Sequence, residues 1–121
     1  MSRLKVGAYP LSIFYQMGAV LRSIIFIGRA GCGACDRLYK EVIAPLTKKH
    51  PDRVTSHHGW DRVVSAIDKR KSIKTVPLIV VEKDGREEFR YSGYLSASKL
   101  EGIIEYDGEV LSLDDVLGDA R

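Results

Sequence analysis

With 121 residues, the chain is long enough for one domain with its own core and too short for two. Its 45% apolar and 29% charged residues and net charge of +3 exclude an intrinsically disordered or strongly basic class. Two cysteines are too few for a small secreted scaffold stapled by several structural bridges.

Arg3 and Lys5 precede a mostly apolar stretch over 6–21, which Pro10, Ser12, Gln16 and Gly18 interrupt. No small-x-small cleavage site follows, and the stretch is short for a membrane span, so it reads as part of the fold of a cytoplasmic protein with no membrane partner. Residues 4–9 read as a short strand or an irregular lead-in. Leu11, Phe14, Tyr15, Gly18 and Leu21 recur at helical spacing and predict a first helix. Ser23-Ile24-Ile25-Phe26-Ile27 reads as a strand buried on both faces. After Cys32, the stripe of Leu38, Tyr39, Val42, Ile43 and Leu46 predicts a helix with a core face, which Pro45 should kink or end early.

Residues 53–58 read as a less apolar strand. Asp61 then caps a helix that turns Val63, Val64 and Ile67 inward. A strand over 76–81 turns at Asp84-Gly85, a hairpin signal, into a strand over 87–91. Ser98 and Glu101 form a capping box for a last helix through Ile104. The stretch 107–121 is an acidic tail whose Val110, Leu111, Leu113, Val116 and Leu117 suffice for a short docked element. The basic clusters Lys48-Lys49-His50 and Lys69-Arg70-Lys71 fall at helix ends and no aromatic platform alternates with them, which points away from nucleic acid. The expected organisation is an extension over 1–22, one domain over 23–106 and the tail over 107–121. Its order of elements predicts an α/β fold with a central mixed β-sheet flanked by helices.

The chemistry concentrates at Gly31-Cys32-Gly33-Ala34-Cys35, where a strand hands over to a helix. Unpaired N–H groups and the helix dipole stabilise negative charge there, so the cysteine at the entrance should ionise more readily than a free thiol. Two residues between cysteines allow a disulfide within one turn. Such a bridge closes so short a loop that it is a poor staple and a well-placed reversible switch. Thr75-Val76-Pro77 is the second informative run. A cis Val76–Pro77 bond would leave the Val76 backbone free to pair with an extended peptide.

The CxxC after a buried strand, the later Val76-Pro77, the Lys83-Asp84-Gly85 turn and Ser92-Gly93 before a final helix together resemble the thioredoxin/glutaredoxin superfamily over roughly residues 23–106. The resemblance implies a single-domain thioredoxin-like fold. It matches Cys32 to the nucleophile, Cys35 to the resolving thiol and Pro77 to the cis-proline facing the disulfide. Gly31, Gly33, Ala34, Thr75, Val76 and Gly93 match the shallow substrate groove. The second half is more similar to thioredoxins than to glutathione-binding glutaredoxins, because Tyr94-Leu95-Ser96 follows Gly93. The run Tyr91-Ser92-Gly93-Tyr94 also resembles the small redoxins that reduce ribonucleotide reductase.

Three departures stand out. Ala30-Gly31 occupies the place of the tryptophan before the first cysteine, and Gly33-Ala34 replaces glycine-proline. Phe26 stands where thioredoxins carry a buried aspartate, and Trp60, the only tryptophan, reads as a packing residue.

The implied activity is thiol–disulfide exchange by a monomeric reductant, with protein disulfides as substrates and an upstream disulfide reductase. The Cys32–Cys35 pair is the redox centre, with no cofactor and no metal. Two rivals are weighed: a thioredoxin-fold scaffold with incidental cysteines, and a zinc site using His50, His57 or His58. The cysteine–histidine gaps do not match zinc-finger spacing, and adjacent His57 and His58 should point to opposite faces of a strand.

Overall fold

In the computed structural model, which describes residues 21–106 and Gly108, a four-stranded sheet runs in the order β2-β1-β3-β4. Its strands are β1 (Ser23–Ile27), β2 (Val54–His57), β3 (Leu78–Lys83) and β4 (Arg86–Ser92). The helices are α1 (Gly33–Leu38), α2 (Ala44–Lys49), α3 (Arg62–Arg70) and α4 (Ala97–Glu105), with a π-helical turn (Tyr39–Ile43) joining α1 to α2. The expected elements over 4–9 and 11–21 lie outside the described residues apart from Leu21. The acidic tail does too, apart from Gly108. Among the described residues, no helix is long and apolar enough to cross a membrane.

Parallel pairing is confined to β1 and β2, in register at Ile24 and Val54. The β3 strand runs antiparallel to β1, setting Ile24 opposite Val81 and Ile27 opposite Leu78, and β4 runs antiparallel to β3. The β1 strand is therefore interior, and alternate side chains enter two separate cores. Ile24 and Phe26 join Ile79, Val81 and the apolar faces of α1, α2 and α4. Ile25 and Ile27 join Val80, Val64 and Ile67 under α3. This two-sided burial explains the unbroken apolar run of β1. The expected mixed sheet flanked by helices is present.

The expected boundaries need four corrections. The helix after Cys32 does not end early at Pro45. The Ala44 N–H reaches back five residues to the Tyr39 carbonyl, and this widened turn admits a residue that has no N–H and crowds the preceding turn. Val63 is 42% exposed, because the buried face of α3 follows the Val64–Ile67 spacing. The last helix is capped by Ser96, whose Oγ accepts the Lys99 N–H at 3.2 Å, and not by Ser98. Glu101 does not reach back to a cap, since its carboxylate is taken by Lys49 and His50. Finally, β3 begins after Pro77, which has no N–H for the ladder, and β2 ends before His58.

Two other expectations hold. Asp61 caps α3 by accepting the Val64 N–H at 2.9 Å. Asp84 and Gly85 both take positive φ, 56° and 77°, as a tight two-residue hairpin turn requires.

Candidate active site

The C-terminal end of β1 feeds the segment Gly28 to Gly31, which delivers Cys32 to the entrance of α1. Gly31 has φ of 78°, a region open to glycine at little cost, and a Cβ there would meet nothing within 4 Å. Its role is thus conformational: it turns the chain from strand into helix. Cys32 is the N-cap of α1, and its Sγ accepts the Cys35 N–H at 3.1 Å. Cys32 and Cys35 are joined by a disulfide, with Cα atoms 5.2 Å apart. The two sulfurs are inequivalent. Cys35 is only 2% exposed and belongs to the core under the sheet, whereas Cys32 is half-buried at its edge.

Behind the disulfide the packing is aromatic. Phe26 is fully buried, 6.0 Å from the Tyr39 ring and 5.6 Å from His58 between centroids. His58 meets Tyr39 edge-on at 4.7 Å. Gly28 fills the narrow gap between Phe26 and Cys35, where a Cβ would sit 2.9 Å from Phe26 Cζ and 3.0 Å from Cys35 Cβ.

The loop before β3 supplies the next part. The Val76–Pro77 peptide bond is cis, Pro77 is buried, and Val76 packs against both cores. Two contacts lace this loop to the Ser92–Gly93 turn, and a third ties that turn onward. Thr75 Oγ1 lies 3.0 Å from Ser92 Oγ, the Gly93 N–H donates to the Pro77 carbonyl at 3.3 Å, and Tyr94 Oη donates to Glu41 at 2.7 Å. That last hydrogen bond raises the Tyr94 hydroxyl above its ordinary pKa and ties the Gly93 loop to the π-helical turn. Of the sequence-predicted residues, Thr75, Val76, Pro77 and Gly93 thus form one connected loop pair. Gly31, Gly33 and Ala34 surround Cys32 as exposed neighbours. Glu41 carries no signal in the sequence, and Ser92 and Tyr94 stand there only as motif positions, because pairs so far apart in sequence leave no local signature.

Trp60 corrects an expectation. It is no packing residue but 63% exposed, and with Ile73 and Val76 it lines a cleft of about 280 Å³ beside the site. Its flanking Gly59 and Asp61 place it in the short loop between β2 and α3, where no apolar periodicity holds a ring inward.

The histidines do not converge on the cysteines. His50 Nε2 lies 2.7 Å from Glu101, His57 Nδ1 lies 2.6 Å from Asp61, and His58 is exposed beyond the end of β2 rather than on the opposite face of the strand from His57. Among the described residues, the one grouping of potential metal ligands is His50, Glu101 and Glu105, and neither cysteine is in it. The Lys49 ammonium already occupies Glu101 at 2.8 Å and opposes a cation there. The arrangement that remains is a disulfide-bonded cysteine pair at a helix entrance, one sulfur reachable and one covered.

No family model matches the chain, and no curated protein matches it in sequence. Solved structures do match, and the similar ones named here are thioredoxins. Thioredoxin from Fasciola hepatica superposes with a TM-score of 0.57 at 21% identity, covering 81% of this chain and 91% of that one. Mitochondrial thioredoxin 3 from Saccharomyces cerevisiae, in its oxidised form, gives 0.54 at 22% identity, covering 77% and 87%. Thioredoxin f from spinach chloroplast gives 0.55 at 15% identity, covering 81% and 87%. The chain has the thioredoxin fold.

Proposed function

We propose that this protein is a thiol–disulfide oxidoreductase that reduces protein disulfides through Cys32 and Cys35. The observation that carries the reading is the inequivalence of the two sulfurs: Cys32 is reachable and accepts the Cys35 N–H, while Cys35 is covered. An N–H donor at a helix entrance favours the thiolate form of the sulfur it meets. In the reduced protein, the Cys32 thiolate attacks a substrate disulfide. The substrate S–S bond breaks, a Cys32–substrate bond forms, and the departing sulfur takes up a proton. Cys35 then loses its proton and attacks Cys32 Sγ, which releases the second substrate thiol. Two electrons pass to the substrate, and the Cys32–Cys35 disulfide is left. Phe26 offers Cys35 no proton acceptor, so deprotonation there draws on solvent or on Asp36, exposed in the first turn of α1.

The loops bearing Thr75, Val76, Pro77 and Gly93 serve as the bed for the substrate chain beside the disulfide. The protein acts as a monomer in the cytoplasm, takes part in electron transport and redox homeostasis, and is recharged by an upstream disulfide reductase. It needs no cofactor beyond its own disulfide.

Insulin reduction tests the reading. Cys32→Ser should abolish turnover, and Cys35→Ser should accumulate a protein–substrate mixed disulfide, visible by intact mass. Turnover that survives Cys32→Ser would overturn it. A redox titration against glutathione buffers should show one reversible two-electron transition, and its midpoint assigns reductant or oxidant.

A further inference from the structure

Beside the cis-proline loop, the cleft holding Trp60 has an apolar floor of Ile27, Ile73 and Val76 and a rim that carries Arg29 and Lys74. Among the described residues, no carboxylate lines it. A second depression shares Ile73, Lys74 and Thr75 with it and extends the same edge to Lys71, again without a carboxylate among its lining residues. Several cations elsewhere on the molecule sit on carboxylates: Arg22 on Glu88, Lys49 on Glu101, and Arg70 and Arg90 on Glu87. Among the described residues, the side chains of Arg29, Lys74 and Lys71 have no such counterpart, so the cleft edge carries three cations that no carboxylate neutralises.

An exposed tryptophan over an apolar floor offers burial to a bulky side chain, and unpaired cations at the rim complement negative charge. We propose that the cleft selects the substrate of the dithiol: a peptide segment with a large apolar side chain close to its disulfide cysteine and acidic residues next to that side chain. The apolar residue lies against Trp60, Ile73 and Val76, and the acidic residues pass Arg29, Lys74 and Lys71. This inference rests on the oxidoreductase reading for its meaning, but its binding arm does not depend on turnover.

Trp60 is the only tryptophan in the chain, so its fluorescence reports the cleft directly. The full chain is titrated with two cysteine-free peptides, one carrying a phenylalanine followed by glutamates and the other the same phenylalanine followed by lysines. The acidic peptide should bind about five- to tenfold more tightly in low salt, as two or three exposed ion pairs permit, and the advantage should shrink as ionic strength rises. The double reversal Arg29→Glu with Lys74→Glu should invert the preference. By calorimetry, Trp60→Ala should weaken both peptides to a similar extent.

Equal binding of the two peptides, or a preference that survives the reversal, overturns the proposal. A short single-stranded oligonucleotide that binds more tightly than the acidic peptide also overturns it and assigns the strip to phosphate. Should the reversed variant fail to fold, the salt dependence of the unmodified chain decides the question alone. Turnover of bis(2-hydroxyethyl) disulfide, which carries no charge and is too small to span the cleft, is followed in parallel. Charge-selective binding without that turnover sinks the redox reading and leaves the cleft standing; turnover without charge selectivity does the reverse.

Discussion

At the scale of single residues, the site is governed by how little room surrounds Cys35. Gly28 is the clearest case, because an added Cβ would come within 2.9 Å of Phe26 Cζ and 3.0 Å of Cys35 Cβ. Neither neighbour can yield easily: Phe26 is fully buried against Tyr39 and His58, and Cys35 is held on α1 in the same core. Gly28→Ala should therefore destabilise the protein by about 1–3 kcal/mol, the usual cost of overpacking a close-packed core. Urea unfolding of the oxidised protein checks it, and an unchanged midpoint would show that the ring moves aside. Nothing in the sequence singles out Gly28 from Gly31, since the first is constrained by contacts from distant segments and the second by its own φ. Trp60 was illegible for a related reason. A lone aromatic between a strand and a helix carries no periodicity, and only the tertiary arrangement shows that it faces solvent over Val76.

At the scale of elements, the sequence was legible wherever the signal was local and periodic. The continuous apolar runs of β1 and β3, the Asp84-Gly85 turn and the Asp61 cap each need only a few neighbouring residues, and each is present. Boundaries set by distant partners were not legible. Ser96 caps α4 because Glu101, the other half of the expected box at Ser98, is drawn to Lys49 and His50 across the gap to α2. The passage of the helix through Pro45 likewise depends on the π-helical turn, which no residue pattern announces. The Asp61 cap gives the element-scale prediction. Its Oδ1 accepts the Val64 N–H, and Oδ2 meets His57 at 2.6 Å. Asp61→Ala should cost about 1 kcal/mol, the typical value of a lost N-cap, while Asp61→Asn should cost less because the amide oxygen still accepts the N–H. Equal losses in denaturant unfolding would mean that the charge, and not the cap, is what matters.

At the scale of the whole molecule, the ends of the fold are tied together by charge. Arg22 is fully buried at the start of β1, with its guanidinium on Glu88 of β4 at 2.6 and 3.1 Å and on the carbonyls of Tyr106 and Gly108. One side chain thus joins the central strand, the edge strand and the exit of α4, a role invisible in a sequence where it is one basic residue among 19. On the edge of the sheet next to α3, Glu87 meets Arg70 and Arg90, while Arg90 also donates to the Ile67 carbonyl at the end of α3. Burial works against the Glu87 charge, but the hydrogen bonds and charges of Arg90 and Arg70 outweigh it and hold the carboxyl below its ordinary range. Glu101 is lowered by Lys49 and His50, and Asp61 by the Val64 N–H and then His57. A carboxyl whose pKa is lower folded than unfolded binds protons preferentially in the unfolded chain. Its stabilisation is complete above the unfolded value, near 4 for such groups, and is lost as pH falls through the lowered folded value. The melting temperature should therefore be flat above about pH 5 and fall progressively below it. Glu87→Gln removes one of the three responsible groups, so its melting temperature should start lower at neutral pH and converge on that of the unmodified protein in acid. A constant gap between the two curves from pH 7 to about pH 2 would show that the Glu87 carboxylate contributes by packing alone, and that the ion pairs along β4 do not hold the sheet edge to α3.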